Sequence, residues 1–308
     1  NLKVLLAAPR GFCAGVTRAI ETVESALARF GAPVYVRHEI VHNAHVVNRL
    51  AAMGAVFVEQ VSDAPDDRPL VFSAHGAPAQ AYAEAKRRGI ALIDAACPLV
   101  LKVHTQVKRF IAQGRHVIVI GHEGHPEILG VMGQSAGSNF TLVESQEDAG
   151  TIAPPDVPLA YVTQTTLSVD DTHAIIATLK RRFPGIVGPR KEDICYATSN
   201  RQAAAKAIAD LADAVLVVGS KTSSNSLRLV EVAARKGRPA RLIEDPAFDE
   251  LGDLPENGVL GVTGGASAPE ELIETLLARL AALFTLKIET VEIAREDVAF
   301  KAPLLHAS

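Results

Sequence analysis

The chain has 308 residues, 48% hydrophobic and 21% charged, the balance of a globular protein with room for one large domain or two to three smaller ones. Its 31 Lys and Arg against 35 Asp and Glu leave a formal charge of −4, and only 5% of residues are aromatic, with no Trp. That combination argues against a nucleic-acid or anionic-membrane partner and against a base-stacking surface.

The opening stretch, NLKVLLAAPRG, holds one apolar run from Val4 to Ala8, too short for the hydrophobic region of a secretory signal. No apolar run approaches the ~20 residues needed to cross a bilayer, so a cytoplasmic protein is expected. Three cysteines cannot all pair within one chain, and none belongs to a CxxC. They fit a reducing compartment and either buried thiols or metal ligation.

In chain order, strand-like runs alternate with helical patterns, the sign of an α/β architecture with largely parallel sheets. Behind Cys13, Val16, Ile20, Val23, Leu27 and Phe30 recur at helical spacing. The strand-like VYVRHEIVHN then ends in a polar loop with His42, and PLVFSAHGAP ends in one with His75. Cys97 and Pro98 open the next helix, with Val100, Val103, Val107 and Phe110 on one face. HVIVIGHEGHPE brings His125 and Glu127 to a strand end, and LAYVTQTTLS does the same for Gln164, Thr165 and Thr166. Cys195 opens the Ala-rich YATSNRQAAAKAIADLA, followed by AVLVVGSKTSSNS with Ser223, Ser224 and Asn225, and by GVLGVTGGASAPEE with Ser267. The closing KIETVEIAREDVAFKAPLLHAS breaks the pattern and is expected to be a tail packed on the surface.

The alternation repeats three times. Counted from the preceding cysteine, His42 lies at +29, His125 at +28 and Ser224 at +29. At the second loop the offsets drift, with His75 at +62, Thr165 at +68 and Ser267 at +72, as surface insertions allow. The chain therefore reads as three similar α/β units, 13–96, 97–194 and 195–285, with a strand from 1–12 completing one of them and a tail over 286–308. Ligands of open parallel sheets bind beyond the carboxyl ends of the strands. A pseudo-threefold arrangement of the units would aim every strand-end loop at one central cavity.

A lone Cys is more often a small buried hydrophobe than a ligand, but three at equivalent helix starts reverse that preference. A helix amino terminus favours the thiolate that a metal requires. Three soft ligands suit an iron–sulfur cluster with an open coordination position, or a catalytic Zn²⁺ with its fourth position vacant. The neutral His, Ser, Thr, Gln and Asn side chains of the loops supply many donors for a phosphate or diphosphate. There is no GxxxxGK[ST], and HEGH is not HExxH, so neither an ordinary nucleoside triphosphatase nor a zincin is indicated. Glu127, beside His125, is the natural proton donor.

These residues resemble a known family, the 4-hydroxy-3-methylbut-2-enyl diphosphate reductases, which perform the last step of the methylerythritol phosphate route to isoprenoids. The resemblance rests on PRGFCAGV, EIVHN, SAHG, DAACPLV, GHEGHPE, TQTTLSVDD, ICYATSNRQ, GSKTSSNS and VTGGASAPEE, nine motifs in order that span nearly the whole chain. It implies one [4Fe–4S] cluster held by Cys13, Cys97 and Cys195, with the fourth iron open to substrate. It also implies that His42, His75, His125, Ser223, Ser224, Asn225 and Ser267 hold the allylic diphosphate, and that Thr165 stands near the substrate hydroxyl with Gln164 beside it. Glu127 would deliver protons, and a small ferredoxin or flavodoxin would bring electrons. Two positions depart from the family pattern, Thr222 for an expected Asn and Gly264 for an expected Ala, and both flank implied ligands.

Overall fold

The computed structural model describes residues 1–137, 139–255 and 257–303. It is an α/β protein whose strands form three wholly parallel sheets of five, four and three strands, in keeping with three similar units. By its contacts the chain divides into two compact units. One comprises Asn1–Val16, His42–Val46 and Tyr196–Ala299; the other comprises Thr17–Val41, Val47–Cys195 and Phe300–Ser308.

The first unit is built on β1 (Leu2–Ala8), β9 (Ala214–Val218), β10 (Ala240–Ile243), β11 (Val259–Gly264) and β12 (Leu286–Glu292), in the order β10-β9-β11-β1-β12. Strand side chains alternate between faces, and both faces here are covered. Leu2, Val4 and Leu6 pack with Ile273, Leu276 and Leu280 of α10 (Glu270–Leu283). Leu5 and Ala7 meet Ala204, Ala205 and Ile208 of α8 (Tyr196–Leu211) and Leu229 and Val232 of α9 (Ser224–Arg235). The alanines let α8 lie close to the sheet, while each buried Leu or Ile contributes about 1.5–3 kcal/mol.

β12 corrects the expected tail. Residues 286–292 form a strand paired with β1 along its whole length, from Leu2 beside Leu286 to Ala8 beside Glu292. The sequence hid it because an edge strand keeps charged side chains in water: Lys287 and Glu289 are exposed, and Glu289 pairs with Lys3 at 2.9 Å. Residues 293–303 continue without regular structure, and 304–308 of the expected tail lie outside the described residues.

The second unit carries a four-stranded sheet, β3 (Ala55–Val58), β2 (Val34–Arg37), β4 (Leu70–Phe72) and β5 (Leu92–Asp94), and a three-stranded sheet, β7 (Phe140–Val143), β6 (His116–Ile120) and β8 (Leu159–Thr163). Every residue of β6 and β8 is buried, which is why both read as continuous apolar runs. Val117, Val119, Ala160 and Val162 pack under Val103, Val107 and Phe110 of α4 (Pro98–Ala112) and Ile128 and Val131 of α5 (Pro126–Met132). Ile118, Ile120 and Tyr161 cover Ile175 and Leu179 of α7 (Val169–Arg182). Three further helices, α1 (Ala14–Phe30), α2 (Ala44–Ala52) and α3 (Ala79–Arg88), follow strand ends in the same way, and α6 (Gln146–Thr151) is a single short turn. Among the described residues no helix is long and apolar enough to cross a membrane.

Candidate active site

Each cysteine is half-buried and stands one residue ahead of a helix: Cys13 before α1, Cys97 as the cap of α4, Cys195 before α8. Their backbone amides repeat one contact. Cys13 N–H donates to Ala266 O at 3.2 Å, Cys97 N–H to Ala74 O at 3.0 Å, and Cys195 N–H to Thr165 O at 3.1 Å. The residues following the first two acceptors are Ser267 and His75, and the third acceptor is Thr165 itself. Each thiol-bearing residue is thus hung from a loop that carries an expected ligand.

In the second unit, GHEGHPE runs from the end of β6 into α5. His125 caps that helix through Nδ1, which accepts Glu127 N–H at 3.1 Å, so this nitrogen is the unprotonated one. Pro126 fits the first helical turn because it needs no amide partner there. Glu127 is 2% exposed; one carboxylate oxygen accepts Thr165 N–H at 2.7 Å and the other accepts the Thr165 hydroxyl at 2.9 Å. Burial pushes its pKa up to about 7, and the nearby Asp193 charge adds to the rise, while the two Thr165 bonds oppose it. The rings of His75 and His125 meet edge to face with centroids 5.9 Å apart, and Ser73 Oγ lies 3.3 Å from His75 Nδ1.

Gln164 links two of the loops. Its side chain is fully buried, with Oε1 accepting His122 N–H at 3.1 Å and Nε2 donating to Thr166 Oγ1 at 2.9 Å. Both ends of the amide are engaged within the protein, so it braces the GHEGHPE loop against TQTT.

In the first unit the polar groups gather from three loops. Ser267 Oγ donates to His42 O at 3.0 Å and lies 3.4 Å from Ser223 Oγ. Ser223 caps α9 by accepting Ser226 N–H at 3.3 Å, and Asn225 Oδ1 accepts Ala266 N–H at 2.7 Å. Ser223, Ser224, Asn225 and Ser267 are all buried at 8% exposure or less. Asn43, passed over in the sequence, caps α2 by accepting Val46 N–H at 3.1 Å. An Asn immediately ahead of the helical AHVVNRLAA, a favoured capping residue, was the available signal. Thr222 hydrogen-bonds Ser220, and Gly264 accepts Gly11 N–H, so both departures shape loops.

Among the described residues no group of three or more His, Cys, Asp or Glu side chains stands ready-made to hold a metal ion. The donors nonetheless suit a soft centre: three thiols, each at a helix start and each tethered to a loop that carries an imidazole or hydroxyl group. A buried carboxyl poised near neutrality beside such groups is the mark of an enzyme that moves protons.

The protein is therefore an α/β enzyme whose strand-end loops present thiols, imidazole, hydroxyl and amide side chains and one buried carboxyl. Residues 4–281 match the model of the LytB protein family, and the chain belongs to that family. A curated relative from Hyphomonas neptunium, named 4-hydroxy-3-methylbut-2-enyl diphosphate reductase, is 55% identical over 306 residues, which cover 98% of this chain and 96% of the relative. One of the same name from Phenylobacterium zucineum is 55% identical over 303 residues, with the same coverage. Among solved structures, the E-1-hydroxy-2-methyl-but-2-enyl-4-diphosphate reductase of Plasmodium falciparum superimposes with a TM-score of 0.91 at 38% identity, covering 98% of this chain and 96% of that one. A second, the terminal enzyme of the non-mevalonate pathway, does so with a TM-score of 0.64 at 27% identity, covering 92% and 100%. Membership makes the chain a reductase.

Proposed function

We propose that the chain removes the allylic hydroxyl of 4-hydroxy-3-methylbut-2-enyl diphosphate, consuming two electrons and two protons and releasing water with isopentenyl and dimethylallyl diphosphates. Cys13, Cys97 and Cys195 would hold one [4Fe–4S] cluster, which when bound supplies electrons singly together with a Lewis-acidic iron. A small ferredoxin or flavodoxin is the natural electron donor.

The protein's own groups divide the remaining work. His42, His75, His125, Ser223, Ser224, Asn225 and Ser267 neutralise the diphosphate with hydrogen bonds rather than with fixed cations, and so fix the carbon chain in one pose. With its pKa near 7, Glu127 is partly protonated at neutral pH and can deliver a proton through the Thr165 hydroxyl to the departing oxygen. The observation that carries this reading is the repeated tether, each cysteine amide bound to a loop bearing an anion-binding or proton-relaying side chain.

Anaerobic purification followed by iron and acid-labile sulfide analysis tests it. About four of each per chain, with turnover of the allylic diphosphate under a low-potential reductant, is expected for a cubane cluster. Zinc in place of iron, or iron without turnover, would overturn it.

A further inference from the structure

The backbone leading into each cysteine has no helix or strand of its own: residues 9–13, 95–97 and 188–195 are irregular. Carbonyls in such stretches need partners from elsewhere. In all three cases a basic side chain supplies one.

Arg18, on α1, donates from Nη1 to Ala96 O at 3.0 Å and from Nη2 to Asp94 O at 3.3 Å, just ahead of Cys97. Lys102, on α4, donates from Nζ to the carbonyls of Lys191 and Glu192, both at 3.0 Å, and to Asp193 Oδ1 at 3.2 Å, just ahead of Cys195. Arg201, on α8, donates from Nε to Gly11 O at 3.0 Å and from Nη2 to Phe12 O at 3.2 Å, just ahead of Cys13.

The order is cyclic. Arg18 follows Cys13 by five residues, Lys102 follows Cys97 by five, and Arg201 follows Cys195 by six. Each is rooted on the helix behind one cysteine and grips the approach to the next. Residues past β12 complete two of the grips: Glu296 pairs with Arg201 at 3.0 Å, and Lys301 O accepts Arg18 Nε at 2.8 Å. Arg201 is 1% exposed, a charge costly to bury unless its hydrogen bonds are well met, whereas Lys102 stays 37% exposed with its amine turned onto the buried Asp193. A charge held at that cost with its donors spent on backbone oxygens positions the backbone.

We propose that Arg18, Lys102 and Arg201 form a cyclic set of positioning residues that fixes where the three thiols stand. The inference rests on the reading that those thiols share one cluster. It goes further by naming the groups that hold the backbone leading into each of them. Orientation by such supporting hydrogen bonds is worth as much to a metal centre as many of its direct ligands.

Two readouts test it, and each speaks separately. In the cluster-free protein, amide hydrogen exchange is followed over 9–13, 94–97 and 191–195 in R18M, K102M and R201M. Each substitution should speed exchange about tenfold or more ahead of the next cysteine and leave its own cysteine's approach unchanged. In the reconstituted protein, iron retention against a chelator should weaken roughly tenfold or more in the same variants and recover in part in R18K, K102R and R201K. The control is R88M, because Arg88 grips the carbonyls of Val61 and Ala64, both at 2.6 Å, in a stretch that leads into no cysteine. Exchange that rises equally in all three stretches or in none, or R88M losing iron as fast, would overturn the proposal. A parent protein that takes up no iron would overturn the shared-cluster reading instead, while the exchange pattern still decides the grips. If R201M fails to fold, Arg18 and Lys102 carry the test.

Discussion

The Glu127 carboxylate is bound at both oxygens by a single residue, Thr165, through its backbone N–H and its hydroxyl. The same Thr165 offers its carbonyl to Cys195 N–H. One threonine thus joins the group expected to give protons to a residue expected to hold the cluster. Replacing Glu127 with Gln keeps the shape and removes the proton. Turnover should fall roughly 100-fold or more, while affinity for the diphosphate stays within about threefold. Single-turnover kinetics beside calorimetric titration separates the two, and equal loss of both would defeat the proton-donor role.

The pH dependence follows from the raised pKa of Glu127, about 7 in the folded protein against an ordinary 4.5. A donor must be protonated, so kcat should fall as pH rises through about 7. The stability effect has the same direction. The folded state holds this proton more tightly than the unfolded one, so the contribution is complete below about pH 4.5 and is lost as pH climbs through 7. Above that the burial of a charged carboxylate costs roughly 3 kcal/mol, so E127Q should be more stable than the parent at pH 8 and nearly equal to it at pH 4. Urea unfolding at the two pH values decides this.

His104 opposes that trend from the acid side. It is 4% exposed, its Nε2 has no hydrogen-bond partner among the described residues, and burial, aided by Lys108, lowers its pKa to about 4. Its folded pKa is depressed, so its contribution is complete above the ordinary value of 6.5 and is lost as pH falls through 4. H104F should flatten the loss of stability between pH 6 and 4, measured by the same unfolding curves.

The same ring explains a glycine. A Cβ on Gly76 would stand 2.7 Å from His104 Cε1, and Gly76 has φ +76°, a conformation costly for other residues. Gly76→Ala should cost roughly 1–3 kcal/mol and weaken diphosphate binding by shifting the adjacent His75. Adding His104→Ala should recover the steric part of the stability loss, and a double-mutant cycle reads the coupling.

In the first unit, Asn43 and Ser223 each cap a helix beside an expected diphosphate ligand. Asn43→Ala should cost about 1 kcal/mol through loss of the α2 cap. It should also raise KM with little change in kcat, because His42 adjoins the freed helix end. Steady-state kinetics on the variant checks this.

Where a signal was local, the sequence disclosed it. β6, β8 and β9 are buried on both faces and read as plain apolar runs. Cys97 with Pro98 announced a helix start, and the spacing of His42, His125 and Ser224 disclosed the repeat. What escaped depends on distant partners. β12 looked like a tail because its only neighbour is β1 and its side chains face water. The bracing bonds of Gln164 escaped because nothing in TQTT tells that His122 N–H and the Thr166 hydroxyl meet its amide. Even so, Arg18, Lys102 and Arg201 had a local trace, a basic residue five or six places behind each cysteine.

The placement of β1 has a consequence for synthesis. It leaves the ribosome well ahead of β11 and β12, yet in its sheet it lies between them. At a translation rate of roughly 5–20 residues per second, the first strand waits on the order of tens of seconds for either neighbour. Both sheets of the second unit, spanning residues 34–94 and 116–163, have emerged in full well before then. Leu2 to Leu6, all apolar but for Lys3, must meanwhile be shielded by transient contacts or a chaperone. The surroundings of Cys13 can be finished only once β11 and the loop with Ala266 have been made, so any cofactor that needs this cysteine is installed after both other cysteines have emerged.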